Sequence, residues 1–200
     1  NAFISTCLKS LNMIPVYRIR DGWNNLSNNA AVFESCSQLL NQGESIAIFP
    51  EGNHDLRRTV RPLSKGFTRI VFDTFKMYPN LNMQLISVGL NYENAEFFGG
   101  SVSINYGIPI DAKQFNSDNR NEAVLKLKET IFNELTTLTT HINAENYSEI
   151  LKKLEDLKVD FLDPKSVNAC IASNLEKCNS SKIKGSSNVR SFFKLLLIAS

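Results

Sequence analysis

Hydrophobic residues recur along this chain with two different periods, and the switches between them mark out its elements. From Ser27 to Gly43, Val32, Cys36, Leu39 and Leu40 share one helical face, with Ser27 placed to cap the first turn and Gly43 to end the last in a left-handed conformation. Upstream, Met13 to Arg18 carries Ile14, Val16 and Tyr17 in a short apolar run that predicts a strand, where Pro15 requires an edge or bulged position. Downstream, Ser45 to Phe49 contains the uninterrupted run expected of a strand buried on both faces, and it stops at Pro50-Glu51-Gly52-Asn53. A strand therefore delivers a polar loop.

The alternation continues. Gly66 to Met77 returns to helical spacing through Phe67, Ile70, Val71, Thr74 and Phe75, and Pro79-Asn80 closes it. Gln84 to Asn91 predicts a further strand. Ser101 to Tyr106, which sets Val102, Ile104 and Tyr106 against polar neighbours, predicts a strand with one exposed face, reached through a hairpin turn at Gly99-Gly100. From Asn119 to Ile142 the positions Val124, Leu127, Ile131, Leu135, Leu138 and Ile142 form a long helical stripe that must pack on the sheet. This order predicts an α/β fold, a mixed and mostly parallel sheet flanked by helices.

Beyond Ile142 the pattern turns helical and polar. Tyr147 to Lys158 and Ser166 to Cys178 read as amphipathic helices, followed by a loop-like Asn179 to Asn188. Residues 1–142 are therefore taken as one domain and 143–200 as a helical C-terminal extension. The apolar run Phe192 to Ala199, interrupted by Lys194, is compatible with a tail helix or with the opening of a membrane span continuing past Ser200.

With 200 residues, 42% of them hydrophobic and 21% charged, the chain is long enough for a substantial core, which excludes disorder and fibrous repeats. A net charge of +2 is too small to announce a general nucleic-acid or membrane-surface binder, so any basic function must be local. Cys7, Cys36, Cys170 and Cys178 show no C-x-x-C pairs and no His at metal-ligand spacing. They make no case for a disulfide framework or a zinc site, and a reducing compartment is the default reading. Cys170 and Cys178 are expected to fill a packed helical face. The start at Asn1, without a signal sequence, reads as a piece of a longer chain.

Ile48-Phe49-Pro50-Glu51-Gly52-Asn53-His54, followed by Arg57, Arg58, Arg61 and Lys65, is the most informative segment. Leaving a buried strand, it presents a carboxylate, a glycine that lets backbone N–H groups approach a ligand, and then four cations. Such a combination suits a phosphate-bearing substrate. Arg18 ends its strand, so in a parallel sheet it emerges at the same carboxyl edge, where ligands of open α/β sheets bind. Nucleic-acid binding by the basic cluster ranks last, because aromatic residues are not interleaved with it as stacking platforms require.

The same residues resemble the glycerophospholipid acyltransferases, the family that includes 1-acylglycerol-3-phosphate and glycerol-3-phosphate acyltransferases. Ile14-Pro15-Val16-Tyr17-Arg18 is similar to the family's Arg-terminated strand. Phe49-Pro50-Glu51-Gly52 is its Phe-Pro-Glu-Gly block, and Arg61-Pro62-Leu63-Ser64-Lys65-Gly66 is similar to its basic run into a Lys-Gly step. Leu85 to Leu90 resembles the fourth block without its usual Pro, and Ser101 to Ile110 the strand and turn that follow. The likeness extends from Asn1 to about Ile142. The family's His and Asp, four residues apart and upstream of the Arg-terminated strand, are missing: His54 and His141 are not followed by Asp at that spacing. The resemblance implies that the catalytic pair lies before Asn1 and that this portion by itself is inactive.

By resemblance, the activity is transfer of a fatty-acyl group from an acyl-CoA or acyl-carrier-protein (acyl-ACP) thioester to glycerol-3-phosphate or 1-acylglycerol-3-phosphate, in phospholipid biosynthesis. A non-catalytic lipid-phosphate binding relative is the alternative. The substrate-binding residues so implied are Arg18, Glu51, Gly52, Asn53, His54, Arg57 and Arg58. Arg18 supplies a bidentate fork for phosphate, and Glu51 contacts a glycerol hydroxyl or orients a neighbouring cation. Asn53-His54 stands where the family commonly has Thr-Arg, so Arg57 or Arg58 is expected to replace the missing cation. No metal and no bound cofactor is implied. The expected partners are the acyl thioester donor, the phosphorylated acceptor and a membrane surface, with the protein associated with the cytoplasmic face of a membrane.

Overall fold

The computed structural model describes residues 10, 13–14, 28–52, 55, 57–93, 100–173, 175 and 194–199. The expected positions of Pro15 to Arg18, Asn53, His54, Gly99, Cys178 and the 179–188 loop lie outside them. In chain order the elements are α1 (Asn28–Asn41), β1 (Ile46–Ile48), α2 (Gly66–Met77), β2 (Gln84–Tyr92), β3 (Val102–Tyr106) and β4 (Ile110–Asp111). They are followed by a 3-10 turn (Ala112–Phe115), α3 (Arg120–Leu138), α4 (Tyr147–Asp156), α5 (Pro164–Ala172) and β5 (Lys194–Ala199).

Local chemistry accounts for several helix ends, while α5 runs from Pro164 to Ala172 and not from Ser166 to Cys178 as expected. Gly43 takes the left-handed conformation after α1, with φ +85°. Asn119 caps α3 by accepting a hydrogen bond from the Glu122 N–H, and Asp163 caps α5 through the Ser166 N–H, with Pro164 in the first helical turn. The long stripe stops being a helix at Leu138, four residues short of Ile142. There Asn91 Nδ2 on β2 donates to the Leu138 carbonyl at 2.9 Å, satisfying a helix-end acceptor that the sequence pattern does not show. Gly89 makes the approach feasible, since a methyl group on it would lie 2.2 Å from the Leu138 oxygen.

The sheet corrects the expectation of a mostly parallel arrangement. Among the described residues its order is β1-β5-β2-β3, with β4 also on β2, and every pairing is antiparallel. β1 and β2 run in the same direction, as the element order implies, but β5 lies between them and opposes both. The run read as a tail helix or a span is thus an internal strand, with Leu196 and Ile198 fully buried. A short, continuous apolar segment carries no period that separates these cases. On β3 the exposed face is the apolar one: Val102, Ile104 and Tyr106 face solvent, while Asn105 reaches toward the Leu138 carbonyl.

Among the described residues two hydrophobic clusters result. The larger unites α1, α2, α3 and the sheet through residues such as Phe33, Leu40, Phe67, Leu85, Leu127, Ile131 and Ile198. The smaller is built by Ile142, Leu154, Val167 and Cys170, with Tyr147 and Phe161 packed against it. Cys36 is free and buried, whereas Cys170 is disulfide-bonded, which corrects the reading of the cysteines as packing residues alone. Among the described residues no helix is long and apolar enough to cross a membrane.

Candidate functional site

β1 ends at Ile48 and the chain turns at once. The Gly52 N–H donates to the Phe49 carbonyl at 3.1 Å, and the Ser64 N–H donates to the Pro50 carbonyl at 2.8 Å. Gly52 closes this turn with φ +67°, a conformation that side chains with a Cβ rarely adopt. The corner at Pro50 to Gly52 is therefore pinned from both sides, at the carboxyl end of β1.

Glu51 emerges from that corner with its side chain only 9% exposed. Its Oε1 accepts the Arg61 backbone N–H at 2.9 Å, and its Oε2 lies 3.3 Å from Arg61 Nη2 and 3.4 Å from Nε. Asp55 approaches the same guanidinium at 3.8 Å. Of the two roles expected for Glu51, this geometry supports the orientation of a neighbouring cation. Arg61, whose side chain is 23% exposed, is the cation it orients, and the sequence-level site did not include it. The available signal was the ten-residue separation across a pinned turn, which no local pattern encodes.

Arg57 and Arg58 part ways. Arg57 is exposed, its guanidinium 4.4 Å from the Tyr147 ring centroid. Arg58 is 1% exposed, with its guanidinium 3.6 Å from the Phe161 ring centroid and long hydrogen bonds of 3.4 and 3.5 Å to the Tyr92 carbonyl at the end of β2. Burial pushes the Arg58 pKa down to about 9, against the opposing fields of Tyr147 and Glu155, so the group stays cationic near neutral pH. Burial likewise pushes the Tyr147 phenol up. Arg18, Asn53 and His54 lie outside the described residues.

Around these cations the backbone has no ladder to join, and side chains take most of its donors. The Arg57 N–H goes to Asp55 Oδ1 at 3.0 Å, Arg58 to Tyr147 Oη at 2.8 Å, Val60 to His141 Nδ1 at 2.9 Å and Arg61 to Glu51. As an acceptor, His141 Nδ1 carries no proton, which puts the ring proton on Nε2. Among the described residues no group of His, Cys, Asp and Glu could hold a metal ion.

Residues 1–90 match the family described as Acyltransferase. Glycerol-3-phosphate O-acyltransferases 1 and 2 of Saccharomyces cerevisiae are 25% and 27% identical to this chain over 130 and 128 residues. An acyltransferase of Schizosaccharomyces pombe, itself described as uncharacterized, is 25% identical over 125 residues. These matches cover 60–62% of this chain but only 17–18% of the relatives, so the chain spans about a sixth of their length. No solved structure matches it.

Proposed function

We propose that this chain, whose residues 1–90 match the Acyltransferase family, forms the acceptor-binding part of an enzyme that acylates glycerol-3-phosphate or its monoacyl form. The single observation that carries this reading is the Glu51–Arg61 pair held at the pinned carboxyl end of β1. A carboxylate that holds both the backbone and the guanidinium of one arginine fixes the direction of that fork before a phosphate arrives. Little ordering then remains to be done on binding. Gly52 brings the backbone close, and Arg57, which is exposed, and Arg18 are assigned to the same phosphate.

Arg58 has a different task in this reading. Its guanidinium is committed to Phe161 and the Tyr92 carbonyl, so it holds the loop while its exposed neighbour meets the ligand. The acyl group comes from an acyl-CoA or acyl-ACP thioester at a membrane surface. In this reading a His oriented by an Asp removes the acceptor hydroxyl proton as the new ester bond forms and thiolate leaves. Residues of this chain bind and orient the acceptor.

The test is a calorimetric titration of the 200-residue chain with glycerol-3-phosphate, with glycerol and with inorganic phosphate. Glycerol-3-phosphate is expected to bind and glycerol not to bind. Arg61→Ala is expected to weaken binding about tenfold or more, the order of magnitude of one charge-assisted hydrogen bond. Equal affinity of wild type and Arg61→Ala, or no preference for the phosphorylated compound, overturns the assignment.

A further inference from the structure

The segment from Arg57 to Arg61 is irregular, yet most of its anchors come from far along the chain. Tyr147, at the start of α4, takes the Arg58 N–H through its hydroxyl, and the Arg58 carbonyl receives the Ile142 N–H at 2.8 Å. Phe161 receives the Arg58 guanidinium on its ring face. His141 takes the Val60 N–H, one residue before the arginine that Glu51 orients. His141 is itself held: its own N–H donates to Asn168 Oδ1 on α5 at 2.9 Å, and Asn168 Nδ2 donates to the Thr136 and Thr139 carbonyls at 2.9 and 3.0 Å. Phe132 on α3 meets the His141 ring edge-on, with centroids 5.9 Å apart. The contacts run without a break from α5 through His141 to Val60 and then Arg61.

We propose that the helical unit formed by α4, α5 and their connections is a brace for the phosphate corner, and that Tyr147, His141 and Asn168 are positioning residues setting the affinity for the phosphorylated acceptor. The proposal rests on the functional reading above for its ligand, but not for its mechanics. Two features set this unit apart from one merely packed alongside. Its polar groups, and not only its small apolar core, face the 57–61 segment. Among the groups they hold are backbone donors whose loss shifts the chain itself, so an untethered Val60 moves Arg61, its covalent neighbour, off the Glu51 carboxylate. A misplacement of about 1 Å in a site of this kind is enough to be measurable.

Amide hydrogen exchange followed by NMR and glycerol-3-phosphate titration on the 200-residue chain together test this. His141→Leu removes the Nδ1 acceptor, and His141→Asn places an amide oxygen close to where Nδ1 stood. In His141→Leu the Val60 and Arg61 amides are expected to exchange about tenfold faster, the loss of one hydrogen bond, with Leu85 in the sheet unchanged. Glycerol-3-phosphate affinity falls several-fold, and His141→Asn restores both. Tyr147→Phe, which keeps the ring and loses only the hydroxyl, is expected to act the same way at Arg58 and Arg61, and it serves if His141→Leu does not fold. Unchanged Arg61 exchange and unchanged affinity in both variants overturn the brace. If the wild type does not bind glycerol-3-phosphate, the functional reading falls and the affinity half of the proposal with it, while the exchange comparison still decides the mechanical half.

Discussion

Consecutive arginines in one short loop have opposite fates because successive side chains of a non-helical segment project to different sides. Arg57 reaches solvent over Tyr147, while Arg58 enters the small core and stacks on Phe161. In the sequence the two are equivalent cations. Only the later chain, which supplies Phe161 and Tyr147, tells them apart, and for that reason the site was legible as a basic cluster but not residue by residue. The turn at Glu51 and Gly52 was legible because Pro-Glu-Gly after a strand is a local signal, although β1 is not buried on both faces as expected, Ala47 and Phe49 being exposed; the contact between Glu51 and Arg61 was not legible. Gly89 makes a sharper residue-scale prediction. A side chain there meets a backbone carbonyl at 2.2 Å, and neither β2 nor the end of α3 can yield cheaply. Gly89→Ala is expected to destabilise the chain by about 3 kcal/mol or more, at the severe end of single substitutions, read as a fall in the urea midpoint. A midpoint within error of wild type contradicts this close approach of α3 to the sheet.

Helix and strand periods located α1, β1, α2, β2, β3 and α3 to within a few residues, because each is long enough to show its period or is bounded by turn chemistry. β5 failed for the opposite reason: Leu195 to Ile198 is a bare apolar run, and its role depends on the gap that β1 and β2 leave between them. Direction was therefore inferred correctly for β1 relative to β2, while pairing was not. α5 begins at Pro164, two residues before the expected start at Ser166, because Asp163 caps it. The hydrogen bonds from the Ser166 hydroxyl and N–H hold the Asp163 carboxyl below the usual carboxylate range, so it favours the folded state while ionised. Its contribution is present above the ordinary aspartate pKa and is lost as the pH falls through the lower, folded-state value. Asp163→Ala is expected to cost about 1 kcal/mol at neutral pH, the usual worth of an N-cap, and less under acid conditions. Chemical denaturation at both pH values checks this, and an equal cost at both contradicts the capping role.

At the scale of the whole molecule, two cores meet at one loop. The large core carries β1 and the corner at Pro50 to Gly52; the small one carries Tyr147 and Phe161; the 57–61 segment belongs to both, with Val60 in the first and Arg58 against the second. Residues 142–175 thus take part in the geometry of the site, a link that a division of the chain at Ile142 separates. The most direct measurement of the central claim is a radiolabelled acyl-transfer assay on the full-length protein, comparing wild type with Arg61→Ala at varied acceptor and varied donor. The KM for the phosphorylated acceptor is expected to rise about tenfold or more while the KM for the acyl thioester stays within error. Equal changes in both, or none in either, would show that the Glu51–Arg61 corner does not hold the acceptor's phosphate.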